Sequence, residues 1–318
     1  MKLTVLICSH NRQALLQRTI HYLDQAQRPE NVDCEILVVA NGCDDGSVAW
    51  LTERAGQGMA QAPGSGPGPL PLRFAEEPRL GKTNALNLAI EMFKGSDPDQ
   101  HLVAMVDDDH RVHTQYLMGA VRAAWQYPDF TLFCGKILPD WDGREPAWVH
   151  DDGPYRIYPL PVPRFERGDE PMPMTPDIGV PGGGNLVLRA GVFERTGGFA
   201  SDFGPKGHDL AGGEDGEFVL RAQRLGERIQ YVPWFIQFHY VELERLRTPY
   251  LMRKSYQRSK ATMRLSSEQQ EPGVPKYLWR KLAGYAGSAL WSMNWARTRF
   301  YLVRAAAAWG EVAGCRER

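Results

Sequence analysis

The chain has 318 residues, 43% of them hydrophobic, and its 37 Lys and Arg nearly balance 38 Asp and Glu to a formal net charge of -1. That length fits one large domain or two ordinary ones, and the even charge gives no sign of a polyanion partner, so nucleic acid is not expected. Five cysteines (Cys8, Cys34, Cys43, Cys134 and Cys315) contain no C-x-x-C pair, which argues against a zinc knuckle or a disulfide framework and for reduced thiols.

Leu3 to Cys8 is a continuous apolar run, the pattern of a buried parallel strand. It is too short for a signal peptide and is followed at once by His10, Asn11 and Arg12. No window reaches the ~18 consecutive apolar residues of a membrane span. The expectation is a cytoplasmic chain that does not cross a membrane but is able to lie on the inner face of the plasma membrane. Ser9 is placed to cap a helix through Leu15 and Leu23. Glu35 to Ala40 reads as a second strand closed by an Asn41-Gly42 turn, and Ser47 to Ala55 as a short helix. Gly56 to Pro71 is rich in Gly and Pro and reads as an exposed loop. Leu72 to Phe74 is a third strand, Asn84 to Lys94 a helix stopped by Gly95, and the run into Met105 a fourth strand. A helix follows from Gln115 to Gln126.

Strands alternating with helices predict an α/β fold, a mostly parallel sheet with helices on both faces. Ligands bind such sheets beyond the carboxyl ends of the strands. Three polar clusters fall there: Cys8-Ser9-His10-Asn11, Asn41-Gly42-Cys43-Asp44-Asp45 and Asp107-Asp108-Asp109-His110. Beyond Asp140 the pattern weakens. Asp140 to Pro176 reads as loops and short hairpins, Leu186 to Leu188 as a strand, Glu217 to Leu225 as a helix with Phe218, Ala222 and Leu225 facing a core, and Ile229 to Val232 as a strand. From Pro249 onward the chain reads as mostly helical.

Four constellations carry chemistry. Asp107 and Asp109 lie two apart just past a strand, so both carboxylates can turn toward one hard cation such as Mg²⁺ or Mn²⁺. The alternative is a solvated acidic turn. Gly213-Glu214-Asp215 opens a helix, where acids cap free N–H groups or serve as a rigid general base. His239 follows the apolar stretch Trp234 to Phe238 and is either a packed ring or a nitrogen ligand. Gly81-Lys82 precedes a helix without the full phosphate-loop spacing, since Glu76 stands five before Gly81, so a P-loop ATPase is rejected.

The order of these pieces resembles the family 2 glycosyltransferases, inverting enzymes with the GT-A fold. Thr4 to Arg12 is similar to the family's first strand and nucleotide loop, and Glu35 to Ser47 to its second strand and D-N-G-S turn. Leu80 to Asn87 resembles G-K-x-x-A-L-N, Asp107-Asp108-Asp109 the D-x-D, and Gly183-Gly184-Asn185 with Gly197-Gly198-Phe199 the acceptor-side run. Gly213 to Phe218 resembles the E-D motif. The resemblance implies a catalytic domain over 1–260, with a nucleotide-sugar half over 1–112 and an acceptor half over 113–260, and a helical extension over 261–318. It implies a nucleotide-sugar donor held by Cys8, Ser9, His10, Arg12, Asn41, Gly81, Lys82, Asn84, Asp107, Asp108, Gly183 and Gly184. It implies Mn²⁺ or Mg²⁺ on Asp107, Asp109 and His239, with Asp109 closest, and Asp215 as general base beside Glu214. The acceptor would be a saccharide or a lipid-linked sugar, and its loops would lie in Asp140 to Pro176 and Phe203 to Leu210.

One position departs from the family. Its Asp after the second strand contacts the nucleotide base; here Ala40 and Asn41 stand there, and the Asn amide can still pair with a base edge. UDP is the expected carrier, with GDP and dTDP open. A nucleotidyltransferase is disfavoured because no glycine follows the first strand, and a non-catalytic binding module because both the acidic cluster and Asp215 are present. Trp and Arg interleave after residue 260, which fits either a membrane surface or packing against the catalytic domain or a second copy.

Overall fold

The computed structural model describes residues 1–57, 68–200, 213–265 and 273–316. The expected acceptor loop Phe203 to Leu210, and most of the expected Gly/Pro loop between Gly56 and Pro71, lie outside the described residues. The chain divides into two compact units, Met1–Asp140 with Pro163–Tyr240, and Trp141–Val162 with Val241–Arg318. The boundary expected at residue 260 thus falls inside a helix, Thr248–Leu265, and residues 141–162 go with the C-terminal unit.

In the first unit the strands are β1 (Lys2–Ser9), β2 (Asp33–Asn41), β3 (Leu72–Glu77), β4 (His101–Met105), β5 (His110–Val112), β6 (Leu132–Asp140), β7 (Met172–Met174), β8 (Leu186–Arg189) and β9 (Ile229–Tyr240). The helices are α1 (Gln13–Asp24), α2 (Ser47–Gln57), α3 (Lys82–Phe93), α4 (Tyr116–Gln126), α5 (Gly191–Thr196) and α6 (Glu214–Arg224). One sheet runs β3-β2-β1-β4-β8-β6-β9-β5, with β7 also on β9. The first four strands are mutually parallel, β8 runs antiparallel between β4 and β6, and β9 is parallel to β6.

Strand alternation splits the core in two. Leu3, Val5, Ile7, Ile36 and Val38 face α1, α2 and α4, where Leu16, Ile20, Leu51, Leu117 and Val121 meet them. Leu6, Leu37, Val39, Val103 and Met105 face the other way, against Ala85, Leu86 and Ala89 of α3 and Phe218 of α6. Both faces being covered explains why β1, β2 and β4 read as unbroken apolar runs. Two local expectations fail. Ser9 does not cap α1, whose cap position is Arg12, because its hydroxyl is drawn to Asp108. Leu225 is 58% exposed rather than in the core, because α6 ends at Arg224 and Gly226 takes a left-handed φ of 93° to turn the chain away.

The second unit holds α7 (Thr248–Leu265), α8 (Lys276–Leu290) and α9 (Trp295–Arg316). Gly310 and Gly314 let α9 close on α7: a Cβ on Gly310 would sit 2.3 Å from the Tyr256 carbonyl oxygen. Among the described residues no helix is long and apolar enough to cross a membrane, and all five cysteines are free thiols.

Candidate active site

The three adjacent carboxylates are separated by giving each its own partners. Asp107 accepts from the Lys82 ammonium at 3.0 Å. Asp108 turns inward and accepts from the Ser9 hydroxyl at 2.7 Å and from Arg12 at 3.2 Å. Asp109 accepts from the same Arg12 nitrogen at 3.0 Å through Oδ2. Thr19 on α1 donates to the carbonyls of Asp108 and His110, which fastens the segment to the helix below it. Ser9 and Arg12, expected on the donor, are therefore occupied in holding the acidic turn.

β5 starts immediately after Asp109 and pairs antiparallel with the end of β9, so His110 lies opposite His239. Their rings are 4.8 Å apart. The His239 Nδ1 donates a hydrogen bond to the Tyr240 carbonyl at 2.8 Å, which directs Nε2 toward Asp109 Oδ1 at 3.7 Å. His110 repeats the arrangement: its Nδ1 lies 2.5 Å from Gln237 Oε1, and its Nε2 is 3.9 Å from Asp109 Oδ1. Asp109 Oδ1 and His110 Nε2 are both buried with no hydrogen-bond partner among the described residues. Burying such atoms unpaired costs about 1–3 kcal/mol each. One carboxylate oxygen and two imidazole nitrogens lying within 4.8 Å of one another fit a divalent cation. Burial lowers the His110 pKa, with Asp107 opposing, which keeps the ring neutral and able to ligate.

The expected trio was Asp107, Asp109 and His239. The structure brings Asp109 and His239 together and adds His110; Asp107 lies beside them, its Oδ2 3.9 Å from His110 Nε2. His110 was visible in the sequence only as the neighbour of Asp109, and its role depends on the β5–β9 register. Gln237 was also missed. It is fully buried, and its amide hydrogens reach the Tyr116 hydroxyl at 3.0 Å and Asn185 at 3.3 Å.

Lys82 opens α3 after Gly81, whose φ of 130° only glycine adopts easily. Its ammonium lies 3.0 Å from Asp107, 3.8 Å from Asp215 and 3.9 Å from Glu214. Burial works against that charge, but the Asp107, Asp215 and Glu214 carboxylates outweigh it and hold the Lys82 pKa well above its ordinary value. Burial likewise opposes ionisation of Asp107, and the Lys82 ammonium overcomes it, keeping that carboxyl well below the usual range. Asp108 goes the other way: burial, then the charge of Asp109, push it up to about 6. Glu214 is raised by burial and then by Asp215. Asp215 Oδ1 is buried without a hydrogen-bond partner among the described residues.

Gly183 and Gly184 form the turn before β8, pinned by the buried Asn185 amide on the Gly135 carbonyl at 2.5 Å. A Cβ on Gly183 would fall 2.1 Å from Asp215 Oδ1, and one on Gly184 would fall 2.2 Å from Asp107 Oδ2. These glycines make room for the two carboxylates. Asn84 is half-buried and donates to the Leu80 carbonyl at 3.1 Å, and His10 Nδ1 lies 2.7 Å from the Asn41 carbonyl. Burial pushes the Cys8 thiol up to about 12 despite Lys82, so it stays protonated.

Asn41 does not present its amide as a base reader. Both amide hydrogens go to backbone carbonyls, Glu77 at 2.9 Å and Arg79 at 2.7 Å, and its oxygen accepts from the Gly81 N–H at 2.8 Å. The side chain is 4% exposed and is spent on shaping the turn that delivers Lys82.

The family model for glycosyl transferase family 2 matches residues 4–196, more than half of the chain. A glucosyl-dolichyl phosphate glucuronosyltransferase of Haloferax volcanii is 29% identical over 132 residues, which are 41% of this chain and 40% of that protein. Among solved structures, S. aureus TarS 1-349 aligns with a TM-score of 0.54 at 13% identity, over 100% of this chain and 91% of that one. The mannosyltransferase PcManGT from Pyrobaculum calidifontis, in complex with GDP-Man and Mn²⁺, aligns with a TM-score of 0.52 at 16% identity, over 96% and 85%. The chain spans less than half of the Haloferax protein and 55% of a longer TarS structure, which it matches with a TM-score of 0.51. At these identities the structural likeness establishes the fold, which is the GT-A fold. Sequence pattern, sheet and family match agree, and the chain belongs to glycosyl transferase family 2.

Proposed function

We propose that this chain is a metal-dependent inverting glycosyltransferase that moves a sugar from a nucleotide diphosphate sugar to an acceptor hydroxyl. The observation that carries the reading is the group Asp109, His110 and His239, with two ring nitrogens whose lone pairs face a bare carboxylate oxygen, next to Lys82 and Asp215. A divalent cation held there would neutralise charge on the leaving diphosphate. Two imidazoles favour Mn²⁺ over Mg²⁺, which prefers an all-oxygen shell; PcManGT was solved with Mn²⁺.

The protein's own groups divide the work. Lys82 offers a cation to the diphosphate, at the start of a helix whose N–H groups point the same way. Arg12 and Ser9 keep Asp108 and Asp109 from swinging apart. Asp215 Oδ1, without a hydrogen-bond partner among the described residues, accepts the proton of the acceptor hydroxyl as that oxygen bonds to the anomeric carbon. The bond from that carbon to the diphosphate oxygen breaks on the opposite face, so the configuration inverts. Glu214, buried and raised in pKa, backs Asp215.

UDP is the proposed carrier; TarS was solved with UDP and UDP-GlcNAc. A lipid-linked acceptor is proposed alongside a plain saccharide, in keeping with the dolichyl-phosphate substrate in the Haloferax relative's name. The test is hydrolysis and transfer with UDP-, GDP- and dTDP-sugars, with Mn²⁺ and then with EDTA. Turnover should need the metal, and Asp215→Asn should abolish transfer while nucleotide affinity stays. Activity that survives EDTA removes the metal from the reading, and activity that survives Asp215→Asn removes the base.

A further inference from the structure

The second unit has a groove of ≈ 200 Å³ bounded by α7, α9 and the segment 156–161. Leu251, Phe300 and Val303 are among its apolar lining, while Arg156, Lys254, Arg258 and Arg304 bring four cations to it and, among the described residues, no carboxylate lines it. Arg156 lies 5.5 Å from the Tyr158 ring and Arg304 lies 5.0 Å from the Phe300 ring. Among the described residues, none of the four is held in an ion pair. Four like charges gathered without a counter-ion repel one another, and an anion between them relieves that repulsion. The space holds roughly seven water-sized groups, enough for a phosphate and the first carbons attached to it.

A second observation identifies the source of such a phosphate. The turn from α8 to α9 leaves Leu290 83%, Trp291 89%, Met293 104% and Trp295 62% exposed. Four large apolar side chains on one turn are a membrane-entering pattern, with Trp suited to the headgroup boundary. Phe300 follows Trp295 on the same helix by about 7.5 Å at about 1.5 Å per residue. The headgroup layer is about 5–7 Å deep on each side, so a tip in the hydrocarbon would bring the groove to the level of lipid phosphates.

We propose that the α7–α9 groove binds the phosphate head of a membrane lipid, with the α8–α9 turn inserted in the bilayer. The proposal stands on the second unit alone and does not depend on the transfer reading. The test is co-sedimentation of the full chain with phosphatidylcholine vesicles with and without phosphatidic acid, at about 0.15 M salt so that loose surface attraction is screened. Short-chain dihexanoyl phosphatidic acid and inorganic phosphate serve as competitors. The full chain should bind phosphatidic acid vesicles, and the short-chain lipid should compete while inorganic phosphate at equal concentration should not. Lys254→Gln with Arg258→Gln should weaken binding about tenfold, as expected for two lost charge-assisted contacts. Arg253→Gln, an exposed cation on α7 outside the groove, should leave binding within about twofold. Trp291→Ser should weaken vesicle binding but leave binding of the short-chain lipid intact. Equal loss from Arg253→Gln, equal competition by inorganic phosphate, or full binding by the groove double variant would each overturn the proposal. Urea unfolding of each variant reports on folding, and Mn²⁺-dependent donor hydrolysis, measured in parallel, reports separately on the transfer reading.

Discussion

Asn41→Asp tests what the amide does. If Asn41 reads the nucleotide base in place of the family's aspartate, the carboxylate should strengthen nucleotide binding at no cost to the fold. The structure leads to the opposite expectation. The substitution keeps an acceptor for the Gly81 N–H but replaces the NH₂ donor with an oxygen facing the Glu77 and Arg79 carbonyls at 2.9 and 2.7 Å. Each carbonyl keeps a second donor, the Gly42 N–H at 2.9 Å on Glu77 and the Asn84 amide at 3.4 Å on Arg79. The lost Asn41 bonds therefore cost about 0.5–1.5 kcal/mol each. A carboxylate 4% exposed must also ionise against the two carbonyls or take up a proton, at about 1–3 kcal/mol more. The expected loss is about 3–5 kcal/mol. Urea unfolding followed by tryptophan fluorescence measures it, and nucleotide titration of the same variant should show weaker binding because Lys82 is no longer delivered. A variant within about 1 kcal/mol of the parent that binds UDP more tightly would refute the reasoning.

Three further outcomes are expected. His101 donates to Thr4 Oγ1 at 2.8 Å while Thr4 donates to Glu35, and burial, then Lys2, lower its pKa from 6.5 to about 4 despite Glu35. Because the folded value is the lower one, the unfolded chain binds the extra proton. Stability is then full above pH 6.5 and falls by about 3 kcal/mol as pH drops through the window to 4, at about 1.4 kcal/mol per pH unit; His101→Gln should flatten that slope in urea melts, and an unchanged slope would count against it. Gly183→Ala forces Asp215 away from a Cβ 2.1 Å from its Oδ1, and a shift of about 1 Å should lower kcat about 100-fold with nucleotide affinity kept; a fully active variant would show that Asp215 needs no such room. Gln237→Met removes the partner that orients His110, so Mn²⁺ affinity by titration should fall about 10–100-fold; unchanged affinity would take His110 out of the metal shell.

The first half of the fold was legible because its strands are buried on both faces. Leu3–Cys8 and Glu35–Ala40 needed no partner to be recognised, and Gly95 and Gly226 marked helix ends by conformations a side chain resists. β9 was read short, at Val232, because Pro233 interrupts it. The strand continues to Tyr240 because the ladder to β6 shifts register between Cys134 and Lys136, and the proline, with no N–H to donate, sits across from that irregularity. Asp107, Lys82, Asp215 and His239 carried chemistry their residue types announce. Their division of labour did not show, since which nitrogen of His239 is free depends on the Tyr240 carbonyl and which acid Arg12 holds depends on a turn 96 residues away. Asn41 misled because an amide looks alike whether it faces a base or a backbone.

The pairing of His110 with His239 across β5 and β9 has a consequence for how this chain tolerates change. Side chains alternate faces along a strand, so slipping either strand by one position turns a ring to the opposite side of the sheet. A single inserted or deleted residue between Phe235 and Phe238 would disarm the cluster while leaving every one of its histidines and aspartates in the sequence. Comparing residue identities alone would score such a chain as intact; counting the spacing from Pro233 to His239 would expose it.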